Sequence, residues 1–174
     1  LHSNQTLLNR EDFIDMGNVD DISPGEFFGA SIWALIKAFG SPFKTLMKMG
    51  VLEEYMFNNS KSNLLCHEIK RNMLAGNIPD LENDPYLTMF ARVQKFFLDT
   101  KTEIEVDALR TAFYLKVGTQ INADELEHGS SKNYKKNTLI LMIKGWGWPP
   151  DKVEDLNNYK GWPMNKKVAL GNGI

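Results

Sequence analysis

The sequence predicts an all-α fold: a single compact domain of about seven or eight helices, followed by an irregular C-terminal arm. Apolar residues recur at helical spacing through most of the chain, which indicates amphipathic helices packed on one another. Matched helix start and stop residues flank several of these segments. The 174 residues, 43% hydrophobic and 24% charged, are enough for one domain with a sizeable core. We place the helical domain at residues 1–144 and the arm at residues 145–174.

The strongest helix signal covers residues 23–40, and we predict that this helix is the central and most buried element. Ser23 and Glu26 have the spacing of a capping box, and Gly40 can end the helix in a left-handed conformation. Large apolar residues line one face from end to end, and three more widen it: Phe28, Ile32, Leu35, Ile36 and Phe39, with Phe27, Ala34 and Ala38. A charge placed at Ile32 should therefore unfold the protein.

The other helix signals of the first half are weaker but have recognisable starts. They cover residues 9–15, 42–49, 51–57 and 63–75. Asn9 can cap the first of them. Ser41-Pro42 starts the next helix with almost no loop after the central one, and Gly50 allows a break or kink within it.

The second half continues the same pattern. Helices are predicted over residues 85–98, 102–117, 122–128, 139–143 and 151–159. Asp84-Pro85 supplies a cap and a first-position proline. Thr102 and Glu105 form a second capping box, and Gly118 is the stop of that helix. The helix after Pro85 has the richest aromatic stripe in the chain, which favours core packing.

Two segments of the second half are ambiguous by pattern alone. Residues 139–143 are five consecutive apolar residues, so their length and flanking lysines favour a buried helix but leave a strand open. From Gly161 onwards the chain is rich in Gly, Pro, Asn and Lys. We expect this last part to lie over the surface or to be disordered.

The net charge, the cysteine count and the length of the apolar runs exclude several classes of protein. A formal net charge of -2 gives no overall attraction to nucleic acid or anionic lipid, although lysines concentrate in residues 132–167. Cys66 is the only cysteine, which excludes an internal disulfide and a cysteine-based zinc cluster. With no signal peptide in the sequence, we expect an intracellular location. No apolar run approaches the ~20 residues of a membrane span.

Few residues of the sequence are candidates for catalysis or metal binding. Glu125 and His128 have the Glu-x-x-His spacing of carboxylate-bridged di-iron bundles, but no second copy of that motif exists. We therefore predict no metal site and keep this pair as the alternative. Cys66, His67 and Glu68 are adjacent, so on a helix their side chains diverge by about 100° per residue. The sequence contains no phosphate loop, dinucleotide fingerprint or hydrolase motif, so we predict no catalytic residue and no cofactor.

The arm and the segment before it combine lysines with aromatic residues. The candidate binding residues are Lys132, Tyr134, Lys135, Lys136, Trp146, Trp148 and Trp162. Tryptophan is enriched at binding hot spots, and lysines beside exposed rings can hold phosphates while bases stack. The opposing interpretation is that the tryptophans pin the arm to the helical body, with the lysines in solvent. The same tryptophans could instead pin the body of a neighbouring copy.

These observations favour a non-enzymatic structural or interaction protein. We expect it to self-assemble into a homo-oligomer, or to bind a protein partner, through the basic, tryptophan-rich arm. The more specific form of this hypothesis is a nucleic-acid-associated assembly protein. The alternative is an enzyme or enzyme subunit that holds a metal or organic cofactor between helices.

Overall fold

A computed structural model describes residues 22–58, 64–74, 84–129 and 133–172, with side chains described throughout these ranges except at 72–74 and 171–172. Every regular element in these ranges is helical, which confirms the all-α prediction. The α-helices are α1 (Pro24–Ala38), α2 (Pro42–Asn58), α3 (Leu65–Leu74), α4 (Pro85–Thr100), α5 (Glu103–Val117), α6 (Ala123–His128), α7 (Tyr134–Trp146), α8 (Pro150–Asn157) and α9 (Met164–Asn172). A single 3₁₀ turn, Tyr159–Gly161, joins the last two. The predicted helix at residues 9–15 lies outside the described residues.

Several helices begin at the caps that the sequence predicts. The Ser23 backbone N–H donates to the Glu26 carboxylate over 2.8 Å, and the Glu26 N–H donates back to the Ser23 hydroxyl. Thr102 and Glu105 repeat this arrangement at the start of α5. The backbone N–H and then the hydroxyl of the cap residue, Ser23 or Thr102, hold the pKa of the glutamate carboxyl below its usual range, because they stabilise the charged form. At the other end of α5, Gly118 adopts a left-handed conformation with φ of 67°.

The core of the described residues is centred on α5. Seven residues of this helix are buried: Val106, Ala108, Leu109, Thr111, Ala112, Phe113 and Tyr114. α5 contacts α2, α4 and α8, and α2 and α4 also contact each other. Phe113 stacks on Phe90 of α4 with ring centroids 4.0 Å apart. Small residues alternate with large ones on α5, so neighbouring helices can approach it on several sides.

The prediction that α1 is the most buried helix is wrong. Ala34 is its only buried residue, and Ile32 is 43% exposed. α1 rests on α2 through a narrow face with the small residues Ala34 and Ala38, and on this face Phe27 contacts the Tyr55 ring edge-on. Most of the larger apolar side chains of α1 lie on other faces of the helix. The periodic pattern predicted an apolar face on α1, but periodicity does not show whether another part of the same domain covers that face.

α2 runs without a break from Pro42 to Asn58, so the break allowed at Gly50 does not occur. Gly50 is buried, and a Cβ built there would lie 2.5 Å from Val93 Cγ1 of α4. The glycine therefore serves the close approach of α2 and α4 rather than a bend.

A buried ion-pair cluster joins α2, α3 and α4. Arg92 Nε and Nη2 donate to the two carboxylate oxygens of Glu54 over 3.0 and 3.1 Å. Arg92 Nη1 reaches Glu68 of α3 at 3.3 Å. The Glu54 and Arg92 side chains are only 8% and 11% exposed. Removing two charges from water costs free energy, so the removal of one partner alone is strongly destabilising because it leaves the other charge buried and unpaired.

The second half differs from its sequence prediction in two places. Residues 139–143 lie within α7, which excludes the strand alternative, and this helix is longer than predicted, from Tyr134 to Trp146 with Gly147 as its C-cap. Residues 164–172 form α9, although the composition of that segment indicated irregular or disordered chain. None of the helices in the described ranges has the length and apolar character needed to cross a membrane.

Candidate functional site

A basic groove lies between α1 and α2. The two helices contact each other directly because only Phe39, Gly40 and Ser41 separate them. Trp33 and Lys37 are one turn apart on α1, and Lys44 and Lys48 are one turn apart on α2. Residues at this spacing share a helix face. The two pairs therefore line a single groove of about 530 Å³.

Trp33 supplies a flat aromatic surface beside these charges. Its side chain is 57% exposed, and Lys37 Nζ lies 4.9 Å from the centre of the ring. The floor of the groove is apolar and includes Ala34, Val51 and Met89. No carboxylate lines the groove within the described part of the chain, so its cations are not neutralised locally.

The basic groove suits a ligand that is both aromatic and anionic. An exposed indole can stack on a flat ring, while ammonium groups attract phosphate or carboxylate. Its volume falls within the range of about 300–1,000 Å³ that small-molecule sites occupy. The combination is more specific than a lysine cluster alone, because the ring and the charges lie on the same groove.

A larger cleft of about 850 Å³ lies beside the buried ion pair, between α2, α3 and α4. Its charged side chains are balanced: Glu54, Glu68 and Asp99 against Arg71, Arg92 and Lys95. Arg92, the most buried of these cations, already binds both glutamates. The cleft is therefore less suited to an anion than the basic groove.

The predicted binding tryptophans pack on the chain's own helices. Trp148 is 7% exposed, and its indole N–H donates to Asp107 Oδ1 over 2.8 Å. Trp146 is half-buried, with its ring 4.8 Å from that of Trp148. Trp162 donates to the Asp155 carbonyl over 2.9 Å. Trp148 therefore offers little surface to another molecule.

The predicted basic residues do not gather into one patch around these rings. Lys136 makes an ion pair with Glu125, with its Nζ 2.7 Å from Oε1. Lys135 is exposed, and Tyr134 is 50% exposed at the start of α7. Lys132 lies outside the described residues.

Trp148→Phe should lower the free energy of unfolding by about 1–3 kcal/mol, because it removes a hydrogen bond to a charged, partly buried acceptor. Asp107 keeps its second partner, Lys152 Nζ, at 2.5 Å. The loss should therefore stay well short of unfolding, and the molecular mass should not change. Urea denaturation and light scattering measure the two quantities. A fall in mass would show instead that the indole holds a neighbouring copy.

Glu125 and His128 are engaged in local contacts at α6. Glu125 closes the capping box with Asn122 and pairs with Lys136. His128 Nδ1 lies 2.8 Å from the Asp124 carbonyl. Across the ranges that the structure describes, no three or more His, Cys, Asp or Glu side chains group together as metal ligands.

The three adjacent reactive residues of α3 point to different surroundings. Glu68 reaches Arg92, whereas Cys66 packs against the hydrophobic core. His67 Nε2 is buried and has no hydrogen-bond partner among the described residues, and the same is true of the Tyr86 hydroxyl. Burial raises the pKa of Tyr86 to about 12. This neighbourhood offers no nucleophile beside a base.

None of the four residues of the basic groove was predicted from the sequence as a binding residue. The predicted binding residues were the three tryptophans of the C-terminal segment, with neighbouring lysines and a tyrosine, and Trp33 was not among them. The available signal was the pairing of Trp33 with Lys37 and of Lys44 with Lys48 at helical spacing, on two helices joined by a very short turn. Such a turn brings the two pairs together.

The chain is similar to bacterial proteins named adenylate cyclase. It is 30% identical to that of Yersinia intermedia and 29% identical to that of Escherichia coli (strain K12), in each case over 162 residues. It is 28% identical to that of Proteus mirabilis. Each match covers 93% of this chain but 19% of the relative, so the chain spans about a fifth of their length. No solved structure matches the chain.

These relatives overturn the main functional prediction. Proteins that carry an enzyme's name match nearly the whole chain, so the interpretation as a non-enzymatic structural protein with a nucleic-acid role is wrong. The similarity favours the alternative, an enzyme or enzyme subunit. The absence of catalytic motifs does not exclude an enzyme, because a chain that matches a fifth of an enzyme need not contain such a motif.

A family model supports the same conclusion over most of the chain. Its description is adenylate cyclase, class-I, second domain, and it matches residues 22–172. The match begins just before α1 and ends with α9, so it covers all the described helices. The chain therefore belongs to the class-I adenylate cyclase family and corresponds to the second domain.

Proposed function

We propose that this chain works as the helical second domain of an adenylate cyclase, which forms cyclic AMP from ATP. The observation that carries the proposal is the family match over residues 22–172. In this reaction the ribose 3′-hydroxyl oxygen attacks the α-phosphorus of ATP, and the bond to the β-phosphate oxygen breaks. Pyrophosphate leaves, and the hydroxyl proton passes to a base. An enzyme that uses ATP would work inside the cell.

Within this domain, the basic groove is the place we propose for ATP binding. ATP combines a flat adenine ring with a polyanionic tail, and the groove combines the Trp33 ring with Lys37, Lys44 and Lys48. Stacking would orient the adenine, and the ammonium groups would offset phosphate charge. Three other grooves between the described helices have no tryptophan in their lining.

Titration of the 174-residue chain with ATP tests this assignment. Lys44→Ala/Lys48→Ala should weaken ATP binding by about tenfold, which corresponds to about 1.4 kcal/mol. Trp33→Ala should weaken ATP binding but have much less effect on inorganic triphosphate, because only ATP has a ring to stack. Isothermal titration calorimetry at one fixed salt concentration measures both, since exposed charge interactions depend on ionic strength.

The matched control removes the same charge elsewhere. Lys116 and Lys160 are exposed and do not line the groove. Lys116→Ala/Lys160→Ala should leave ATP affinity unchanged. Equal losses in the two double variants would mean that only net charge matters and would refute the groove as the binding site. Absence of any ATP binding by the parent chain would refute it as well.

A further inference from the structure

A stripe of large apolar side chains runs along the outer face of α1. We call it the α1 stripe, and it consists of Phe28, Ile32, Leu35, Ile36 and Phe39. Their exposed fractions range from 43% at Ile32 to 96% at Phe39. The residues recur at intervals of three and four, so they form one continuous band on the helix. No described residue of this chain covers the band.

The two faces of α1 differ in a way that indicates a second contact. Apart from Phe27, the face on α2 is made of small residues, with Ala34 buried and Ala38 partly buried. Most of the bulkier side chains are on the outer face. A surface helix normally has a polar outer face, whereas a helix that is apolar both toward its own domain and on its outer face packs against two bodies. α1 therefore has the composition of a helix enclosed between two bodies, of which this domain supplies one.

The size of the α1 stripe fits a domain interface. Taking about 200 Å² for a fully exposed large apolar side chain, its members expose roughly 600–700 Å². This exceeds the patch of about 300–600 Å² that is the largest on a typical monomer. It approaches the roughly 800 Å² per partner of a standard protein interface.

We propose, on the basis of the proposed function, that the α1 stripe docks against another domain of the same adenylate cyclase. The relatives are about five times longer than the matched segment, and the family description is that of a second domain. Enough chain therefore exists in such an enzyme to cover the stripe. Lys37 directly follows Ile36 of the stripe along α1, so the partner surface is apolar with an acidic group at its rim.

Docking at this position also places the basic groove at the edge of a domain interface. α1 forms one wall of the groove, with Trp33, and carries the α1 stripe on another face. Ligand sites occur preferentially between domains, because two rigid bodies can then contribute groups to one ligand.

Carbene footprinting tests the proposal by comparing the isolated 174-residue chain with the complete cyclase polypeptide. Labelling of Phe28, Leu35 and Phe39 should fall several-fold in the complete polypeptide. Leu141 on α7 is 67% exposed and Ile104 on α5 is 71% exposed, and they serve as matched controls. Their labelling should be the same in both samples. Leu35→Asp in the complete polypeptide should restore labelling of Phe28.

Three outcomes would overturn the proposal. Equal labelling of the α1 stripe in both samples would show that no domain covers it. Low labelling already in the isolated, monomeric chain would show that this chain covers its own stripe. A concentration-dependent dimer of the isolated chain, abolished by Leu35→Asp, would identify a second copy as the occupant. None of these readouts uses ATP, so failure of the proposed function alone leaves the protection of the stripe intact.

Discussion

Phe113→Ala should lower the free energy of unfolding by about 3–5 kcal/mol, because it opens a cavity at the centre of the core. Phe113 is 2% exposed, stacks on Phe90 and Tyr86, and contacts the edge of Trp146. Three rings from two neighbouring helices, α4 and α7, would thus lose a shared packing partner. Urea denaturation followed by circular dichroism measures the loss.

Ile32→Asp is the variant to compare with Phe113→Ala. The side chain is 43% exposed on the outer face of α1, so in the isolated chain the change should cost only about 0.5 kcal/mol, as surface substitutions do. The sequence pattern alone predicted unfolding for this substitution. If Ile32→Asp lowers the free energy of unfolding more than Phe113→Ala does, the core is centred on α1. That result would contradict the observed packing around α5.

Arg92→Met should lower the free energy of unfolding by about 3–5 kcal/mol, because it leaves a buried carboxylate without its cation. Glu54 would lose both of its bonds to the guanidinium, and α3 would lose the contact through Glu68. Arg92 also lies over the Tyr55 ring at 5.2 Å. The three helices should therefore separate more easily, which denaturation can measure.

The double variant Arg92→Met/Glu54→Gln distinguishes a charge effect from a packing effect. It removes the buried charge along with its partner, and buried ion pairs can often be replaced at little cost. We expect it to recover more than half of the stability lost in Arg92→Met. No recovery would show that the shape of the arginine side chain, and not its charge, holds the cluster together.

Local signals predicted most of the helices in the described ranges. Capping boxes at Ser23, Thr102 and Asn122 act within a few residues, so the sequence alone reveals them. α9 was missed because residues 164–172 have neither a side-chain cap nor a strong apolar face. The ambiguity at 139–143 arose because a short, fully buried segment shows no periodicity.

Burial was harder to predict than helicity. The α1 stripe has the pattern of a core helix, yet it is exposed in this domain, since periodicity reports an apolar face without its partner. α5 looked less distinctive because its core face includes small residues such as Ala108 and Ala112. The same limitation hid the basic groove, whose residues come together only through the packing of α1 on α2.

Function was harder to predict from the sequence pattern than either helicity or burial. The family match covers residues 22–172, yet none of the short motifs that identify many enzymes occurs in the chain. The groove uses a tryptophan and lysines, residue types that are common on ordinary surfaces. Their significance depends on where helix packing places them, and on the similarity to adenylate cyclases.

The most direct test of the account is cyclic AMP formation from ATP by the complete cyclase polypeptide that contains this domain. The parent polypeptide should form cyclic AMP, and Trp33→Ala/Lys44→Ala/Lys48→Ala should reduce the rate by about tenfold or more, since the indole and two of the three ammonium groups of the groove are lost. The Lys116→Ala/Lys160→Ala control should retain the parent rate. No cyclic AMP from the parent polypeptide, or an undiminished rate in the groove variant, would contradict the account.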